Sequence, residues 1–210
     1  AVPIAIALPK WAKSAPGPEP TPPSPLAPST ATQIELPVFS PLTDLGTRRF
    51  QRGIVIHRLL QTLPELPRAH RQAAATAFVA RFSLNENADQ IVRETLAVLD
   101  DPRFAPLFAE GSRAEVPLTG VYGKHVVSAQ IDRLAVTPSE VWIVDYKTNR
   151  PPPQDAAHVD PAYLFQMATY RAVIQHIYPL HSVRCALLWT AGPFIMELTP
   201  KALDTALRVG

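Results

Sequence analysis

Proline sets the first limit on what this chain can fold into, because each proline removes a backbone donor and locks one backbone angle. The chain has 24 of them, and the densest cluster, KSAPGPEPTPPSPLAPST, lies between Lys10 and Thr30. A stretch of that kind adopts extended polyproline geometry and acts as a semi-rigid spacer. Residues 1–42 are therefore expected to be an N-terminal stub and a Pro-rich linker that stays out of any hydrogen-bonded core, with the folded domain over 43–210. Docking to an SH3-type module is the alternative use of such a stretch, and spacing is the commoner one. The domain being spaced is expected upstream, and the missing initiator Met fits a fragment or a processed product.

The remainder can build a core. Of 210 residues, 47% are hydrophobic, which suits one globular domain. The single cysteine, Cys185, excludes an intrachain disulfide framework and a Cys-based metal cluster within this chain, and makes a reducing compartment, the cytoplasm, the default. Cys185 sits in an apolar run and is expected to be inert. A formal charge of +2 is too near neutral to imply nucleic-acid binding, so any basic groove has to be local. No apolar run approaches the roughly 20 residues that span a bilayer, and AVPIAIALP has no basic leader, so neither a membrane partner nor a signal peptide is expected.

From about Leu42 the pattern becomes regular. Phe50, Ile54 and His57 recur at helical spacing, followed by Pro67 to Phe82 and Ala88 to Leu99, which predicts three helices. Five runs rich in β-branched and apolar residues follow: Arg113 to Thr119, His125 to Val136, Val141 to Lys147, Val183 to Thr190 and Phe194 to Leu198. Between the third and fourth, Tyr163, Gln166, Tyr170, Val173 and Ile177 share one stripe of a helix over Pro161 to Ile177. Helices, three strands, helix, two strands, helix is the order of an α/β domain with a mixed sheet flanked by helices.

The chemistry concentrates in one predicted hairpin. Thr137-Pro138-Ser139-Glu140 carries proline where a type I turn favours it, and a turn centred between Pro138 and Ser139 places Asp132 directly opposite Asp145. Opposed like charges destabilise a sheet unless something between them compensates, and a divalent cation is the natural compensator. Lys147, two residues beyond Asp145, falls on the same strand face. Two hard oxygen ligands holding Mg²⁺ leave coordination positions for water and a phosphate oxygen. The lysine can position or deprotonate the attacking water, or neutralise charge developing on phosphorus. An isolated D-x-K is more often a surface ion pair, and the opposed Asp132 is what argues against that reading here.

VSAQIDRLAV, VWIVDYKTNR and YLFQMATYRAVI together resemble the nuclease module of the PD-(D/E)XK superfamily, in the form found at the C-terminus of RecB-like helicase-nucleases, most like the AddA subunit of AddAB. RRFQRGIVIHRLLQTLP is similar to that group's G-x-x-x-H helix, and RCALLWTAGPFIMEL to the strands after its Q-x-x-x-Y helix. The resemblance implies a restriction-endonuclease-like fold and an Mg²⁺-dependent DNA exonuclease, with Mn²⁺ as substitute ion, that processes double-strand break ends for recombinational repair. It implies Asp132 and Asp145 as metal ligands, Lys147 as the catalytic lysine, His57 as a further ligand, and Gln166 and Tyr170 as substrate-binding residues on a helix lining the site. The implied partners are a single strand from an unwound DNA end, an upstream helicase domain of the same polypeptide and a second helicase-nuclease subunit. Ala129 departs from the family's usual glycine, and a bulge there would disturb the hairpin register.

Without the resemblance, His57 reads as a satisfied core histidine, and Gln166 and Tyr170 as a polar helix position and a half-buried aromatic. Glu115 is a further candidate ligand, equally readable as a solvated strand-end carboxylate. Arg48, Arg49, Arg52, Lys124, Arg133 and Arg150 are candidates for phosphate contacts, although scattered surface charge explains each one singly. No G-x-x-x-x-G-K-[ST] loop is present, so the chain cannot supply an ATP-driven motor. The rival readings are a metal-dependent phosphohydrolase of small phosphates and a non-catalytic DNA-binding or scaffold module.

Overall fold

The computed structural model describes residues 24–28, 44–82, 88–149 and 151–209. In chain order the elements are strand β1 (Ser24–Leu26), helices α1 (Asp44–Thr62), α2 (Arg68–Val79) and α3 (Ala88–Asp100), strands β2 (Arg113–Tyr122), β3 (His125–Val136) and β4 (Glu140–Lys147), helix α4 (Pro161–Ile177), strands β5 (Ser182–Trp189) and β6 (Phe194–Leu198), and helix α5 (Pro200–Val209). Short 3₁₀ turns follow α1 and α3 and precede α4. From α1 onward this is the order expected from the sequence. The six strands make one sheet, with β3, β4, β5 and β6 adjacent in that order and β2 and β1 both on β3. It is a mixed sheet: β4 and β5 are parallel, whereas β3–β4 and β5–β6 are antiparallel.

One expectation is corrected at the N-terminus. Ser24 to Leu26, inside the Pro-rich stretch, pairs in parallel with His125 to Val127 of β3, so part of that stretch does join the sheet. An edge position is where a proline such as Pro25 does least harm, because its missing N–H can face away from the ladder, and Leu26 packs on the core. The rest of the linker reading, apart from residues 24–28, lies outside the described residues.

Helices cover both sheet faces because the middle strands are apolar on both. In β5, Val183, Cys185, Leu187 and Trp189 belong to one buried cluster with Met167, Tyr170 and Ile174 of α4 and Leu203 of α5. Ala186 and Leu188 belong to the other, with Val55, Ile56, Leu59 and Leu60 of α1 and Ile91 and Val98 of α3. That near-continuous apolar run is what burial on two sides selects. In β4 the same alternation sends Val141 and Ile143 toward the α4 layer and Val144 and Tyr146 toward the α1 layer. Cys185 is 1% exposed and burial pushes its thiol up to about 12, so it is a packing residue, as expected.

The α4 layer lies tight against β2. At Gly120 an added Cβ would come within 2.4 Å of Val173 Cγ1, and Val173 is buried and β-branched, with little rotamer freedom. Gly120→Ala should therefore destabilise the protein by about 1–3 kcal/mol. Combining it with Val173→Ala should recover part of that loss in urea unfolding; purely additive losses would show that the contact is not the cause.

Candidate active site

The site forms where β3 and β4 part. Their ladder runs from Val136↔Val141 to Arg133↔Val144, the register expected from the turn, and Thr137 N–H donates to Glu140 O at 2.9 Å to close that turn. The next step would pair Asp132 with Asp145, and the ladder stops short of it. In its place the Asp132 Oδ2 carboxylate accepts the Tyr146 N–H at 2.7 Å. On the other edge of β3 the same residue is skipped: Ala114 pairs with Arg133 and Val116 with Ile131, and Glu115 between them has φ of 52°. That left-handed conformation is uncommon for a side chain larger than glycine. The irregularity falls at Asp132, three residues from Ala129, whose own ladder pairing with Leu118 is regular.

Released from both ladders, Asp132 turns toward α1, where its Oδ1 lies 3.3 Å from His57 Nδ1. His57 Nε2 lies 3.2 Å from the Tyr146 carbonyl oxygen, which can only accept, so Nε2 carries the proton. The Nδ1 of a neutral imidazole is then a lone pair aimed at a carboxylate, and that contact holds only with a proton or a cation between the two. Burial pulls the His57 pKa down, but Asp132, with Asp145 and Glu115 behind it, outweighs burial and holds it above the ordinary value. Donor atoms of His57, Glu115 and Asp132 all lie within 4.8 Å of one another. One imidazole nitrogen and two carboxylates suit a hard or borderline divalent ion such as Mg²⁺ or Mn²⁺. Burial and the neighbouring Asp132 push Glu115 up, against the opposing pull of His57, Arg58 and Arg133. Glu115 also accepts from Gln130 Nε2 at 2.7 Å.

Asp145 and Lys147 stand beside this group, facing α4. Asp145 is 5% exposed and Lys147 9%. Lys147 Nζ lies 2.6 Å from Asp145 Oδ2, and its ammonium sits 3.7 Å from the centre of the Tyr163 ring. Gln166 ties the pair together: its Nε2 donates to Asp145 Oδ1 at 2.9 Å and to Tyr170 Oη at 2.9 Å, and its Oε1 accepts from Lys147 at 3.3 Å. Burial raises the pKa of Asp145 further than Lys147 lowers it, and Asp132 adds to the rise.

Asp145, expected as a metal ligand, is outside the three-residue donor group and has both oxygens engaged by Lys147 and Gln166. Gln166 and Tyr170, expected to contact substrate, are 4% and 0% exposed, because α4 packs this stripe against the sheet. Gln166 bonds Asp145, Lys147 and Tyr170 in that buried position. Arg133, a candidate for phosphate, is 1% exposed. It donates to Leu60 O at 2.6 Å, to Ser112 Oγ and to Tyr146 Oη, both at 3.2 Å, and stacks on Phe108. Pinning the end of α1 to β3 in this way helps hold His57 in place. Arg52 likewise faces inward, donating to Thr148 O at 2.9 Å and pairing with Glu94. Arg150 and the side chains of Arg48 and Arg49 lie outside the described residues. The roles of Arg133 and Tyr163 were not foreseen, since nothing in sequence separates a tethering arginine or a cation–π tyrosine from surface ones.

Gly53 explains the spacing of G-x-x-x-H. It sits one helical turn before His57, where an added Cβ would meet Thr148 Oγ1 at 3.3 Å, so the small residue lets α1 come close to the end of β4.

The family model of the PD-(D/E)XK nuclease superfamily matches residues 36–199, which takes in α1 to β6 and every residue of the site. The chain belongs to the PD-(D/E)XK nuclease superfamily. Its mixed sheet flanked by helices is the restriction-endonuclease-like fold of that superfamily, and its acidic and histidine cluster suits a superfamily of metal-dependent nucleases. No curated protein matches the sequence. The solved structure of SSO0001 is similar at 14% identity, over 73% of this chain and 71% of that one, with a TM-score of 0.33, too loose a match to carry any inference about either.

Two measurements check the geometry. Calorimetric titration with Mn²⁺ should show His57→Ala binding more weakly by roughly tenfold or more, and an unchanged affinity would make His57 structural only. Because the folded Asp145 pKa is raised, its ionisation costs stability: the contribution is full below the unfolded carboxylate value of about 3.9 and is lost as pH rises through the folded value. Asp145→Asn removes that charge and keeps one of the two acceptor oxygens, enough for either Lys147 or Gln166. In EDTA at pH 7 the variant should melt above the parent, and a lower melting temperature would mean that the ion pair with Lys147 dominates.

Proposed function

We propose that this chain is the Mg²⁺-dependent DNA exonuclease module of a helicase-nuclease that processes double-strand break ends, and that its substrate is a single strand delivered by an upstream motor. The observation that carries the hydrolytic part is the pairing of a donor group, His57, Glu115 and Asp132, with a buried Lys147 held beside Asp145. His57, Asp132 and Glu115 would hold the ion, and Asp145, expected as a further ligand, stands beside them with its carboxylate shared with Lys147. When bound, the ion supplies charge neutralisation for the phosphodiester and acidifies water at the site.

The chain's own groups do the rest. Lys147, aligned by Gln166 and the Tyr163 ring, places a positive charge where the phosphorus becomes electron-rich, and a fixed charge in a water-poor setting acts more strongly than in bulk. Asp132 spans the split between β3 and β4 and so holds the two halves of the site in one geometry. Tyr170 fixes the Gln166 amide, which in turn sets Asp145.

The place in a helicase-nuclease is supported by the resemblance of the D-Y-K, G-x-x-x-H and Q-x-x-x-Y segments to RecB-like and AddA modules, and by the Pro-rich stretch suited to a tether. Charge supports delivery. A net +2 gives little long-range attraction for duplex DNA, whereas a tether raises local substrate concentration without adding contacts. The partner subunit and the cytoplasmic setting follow from the same reading. No helix among the described residues is long and apolar enough to cross a membrane.

Incubation of the chain with end-labelled single- and double-stranded DNA tests this. Cleavage should require Mg²⁺ or Mn²⁺ and favour the single strand, and Lys147→Ala should slow it by about 10²–10³. Metal-independent cleavage, or activity on mononucleotides alone, would overturn the reading. Duplex degradation as fast by this chain as by the assembled helicase-nuclease would remove the delivery model and leave an autonomous nuclease.

A further inference from the structure

A cleft of about 340 Å³ adjoins Lys147, walled by Asn149, Pro152, Gln154, His158, Tyr163 and Trp189 among others. It opens at the carboxyl ends of β4 and β5, two adjacent parallel strands, the end at which α/β sheets generally hold ligands. The register places Lys147 beside Trp189, and Thr190 N–H donates to Lys147 O at 3.1 Å. Tyr163 belongs to both places: it lines the cleft and its ring lies 3.7 Å from the Lys147 ammonium. Whatever fills the cleft is therefore next to whatever Lys147 binds.

The wall chemistry narrows the occupant. None of the described lining residues is Lys or Arg, and Asp160 is one of them, so a phosphate is poorly served. Tyr163 and His158 offer flat rings, and the Pro151 to Pro153 segment a stiff apolar surface. Asn149 and Gln154 carry amides that both donate and accept. The Trp189 indole adds a further aromatic wall. Planar, neutral, apolar on its faces and mixed in donors and acceptors at its edge describes a nucleobase, and the volume lies at the lower end of small-ligand clefts, roughly 300–1,000 Å³.

We propose that this cleft seats one unpaired nucleobase of the strand whose phosphodiester lies at Lys147. The inference rests on the nuclease reading above and adds a reason for single-strand preference: a base in duplex must first be unstacked and unpaired before it can enter, whereas a free strand offers its bases at once. Sequence preference is weak, because every base has a stacking face.

The test uses the native chain with Mn²⁺ and single-stranded oligonucleotides of one sequence, each carrying one abasic position moved stepwise along the strand. At one fixed offset from the scissile bond the missing base should raise KM about tenfold, with kcat little changed; at other offsets it should not. His158→Ala should raise KM on the intact oligonucleotide, and the abasic position at that offset should then add little. A flat abasic profile with normal cleavage overturns the cleft assignment alone, as do independent, multiplying effects of the variant and the lesion. Failure to cleave any oligonucleotide overturns the nuclease reading and this inference with it.

Discussion

The carboxylate of Asp132 takes over where a backbone ladder ends. Two strands that separate inside a sheet leave donors and acceptors that must be paired elsewhere, and here Asp132 Oδ2 accepts the Tyr146 N–H at the first unpaired step. The other oxygen of the same side chain reaches His57, and the Tyr146 carbonyl orients that histidine from behind. The β3–β4 split, the approach of α1 and the donor group for a cation thus meet in one carboxylate. The left-handed Glu115 on the opposite edge of β3 belongs to the same break, and backbone strain of this sort tends to gather at functional sites.

Charge placed in such a setting is unstable by itself. His57, Glu115 and Asp145 all have pKa values displaced upward, which means that each favours holding a proton more than it would in water. Burial raises Glu115 and Asp145, with Asp132 adding to both, and the neighbouring carboxylates raise His57; perturbed titration of this kind is characteristic of sites that bind ions or transfer protons. The lysine pairs directly with Asp145, and Gln166 and Tyr163 bracket it, so its ammonium stays in one place. Such preorganisation is where electrostatic catalysis gets its leverage.

Much of this was legible before any coordinates. The hairpin register followed from Pro138 and the length of the turn, and the alternation of Val141, Ile143, Asp145 and Lys147 put the last two on one face because a strand has a period of two. What stayed hidden did so for physical reasons. Gln166 and Tyr170 share a helix stripe with Val173, and a stripe does not reveal whether its polar members face a substrate or a buried carboxylate. Arg133 looked like a surface cation because isolated arginines usually are, yet the gap between α1 and β3 supplies acceptors from Leu60, Ser112 and Tyr146. Ser24 to Leu26 looked like spacer because proline density hides a three-residue edge strand.

By itself the sequence determined the α/β class, the order of elements from α1 onward, the two aspartates and the lysine, and a histidine one turn after a glycine, because periodicity and turn chemistry are local properties of the chain. Only the tertiary structure decided that Asp132 would leave both ladders and turn toward α1, that Glu115 would join His57, and that Asp145 would be held by Lys147 and Gln166. Those outcomes depend on which backbone groups a neighbouring element leaves unpaired and on how deeply it buries a charge, and neither is fixed until the layers pack.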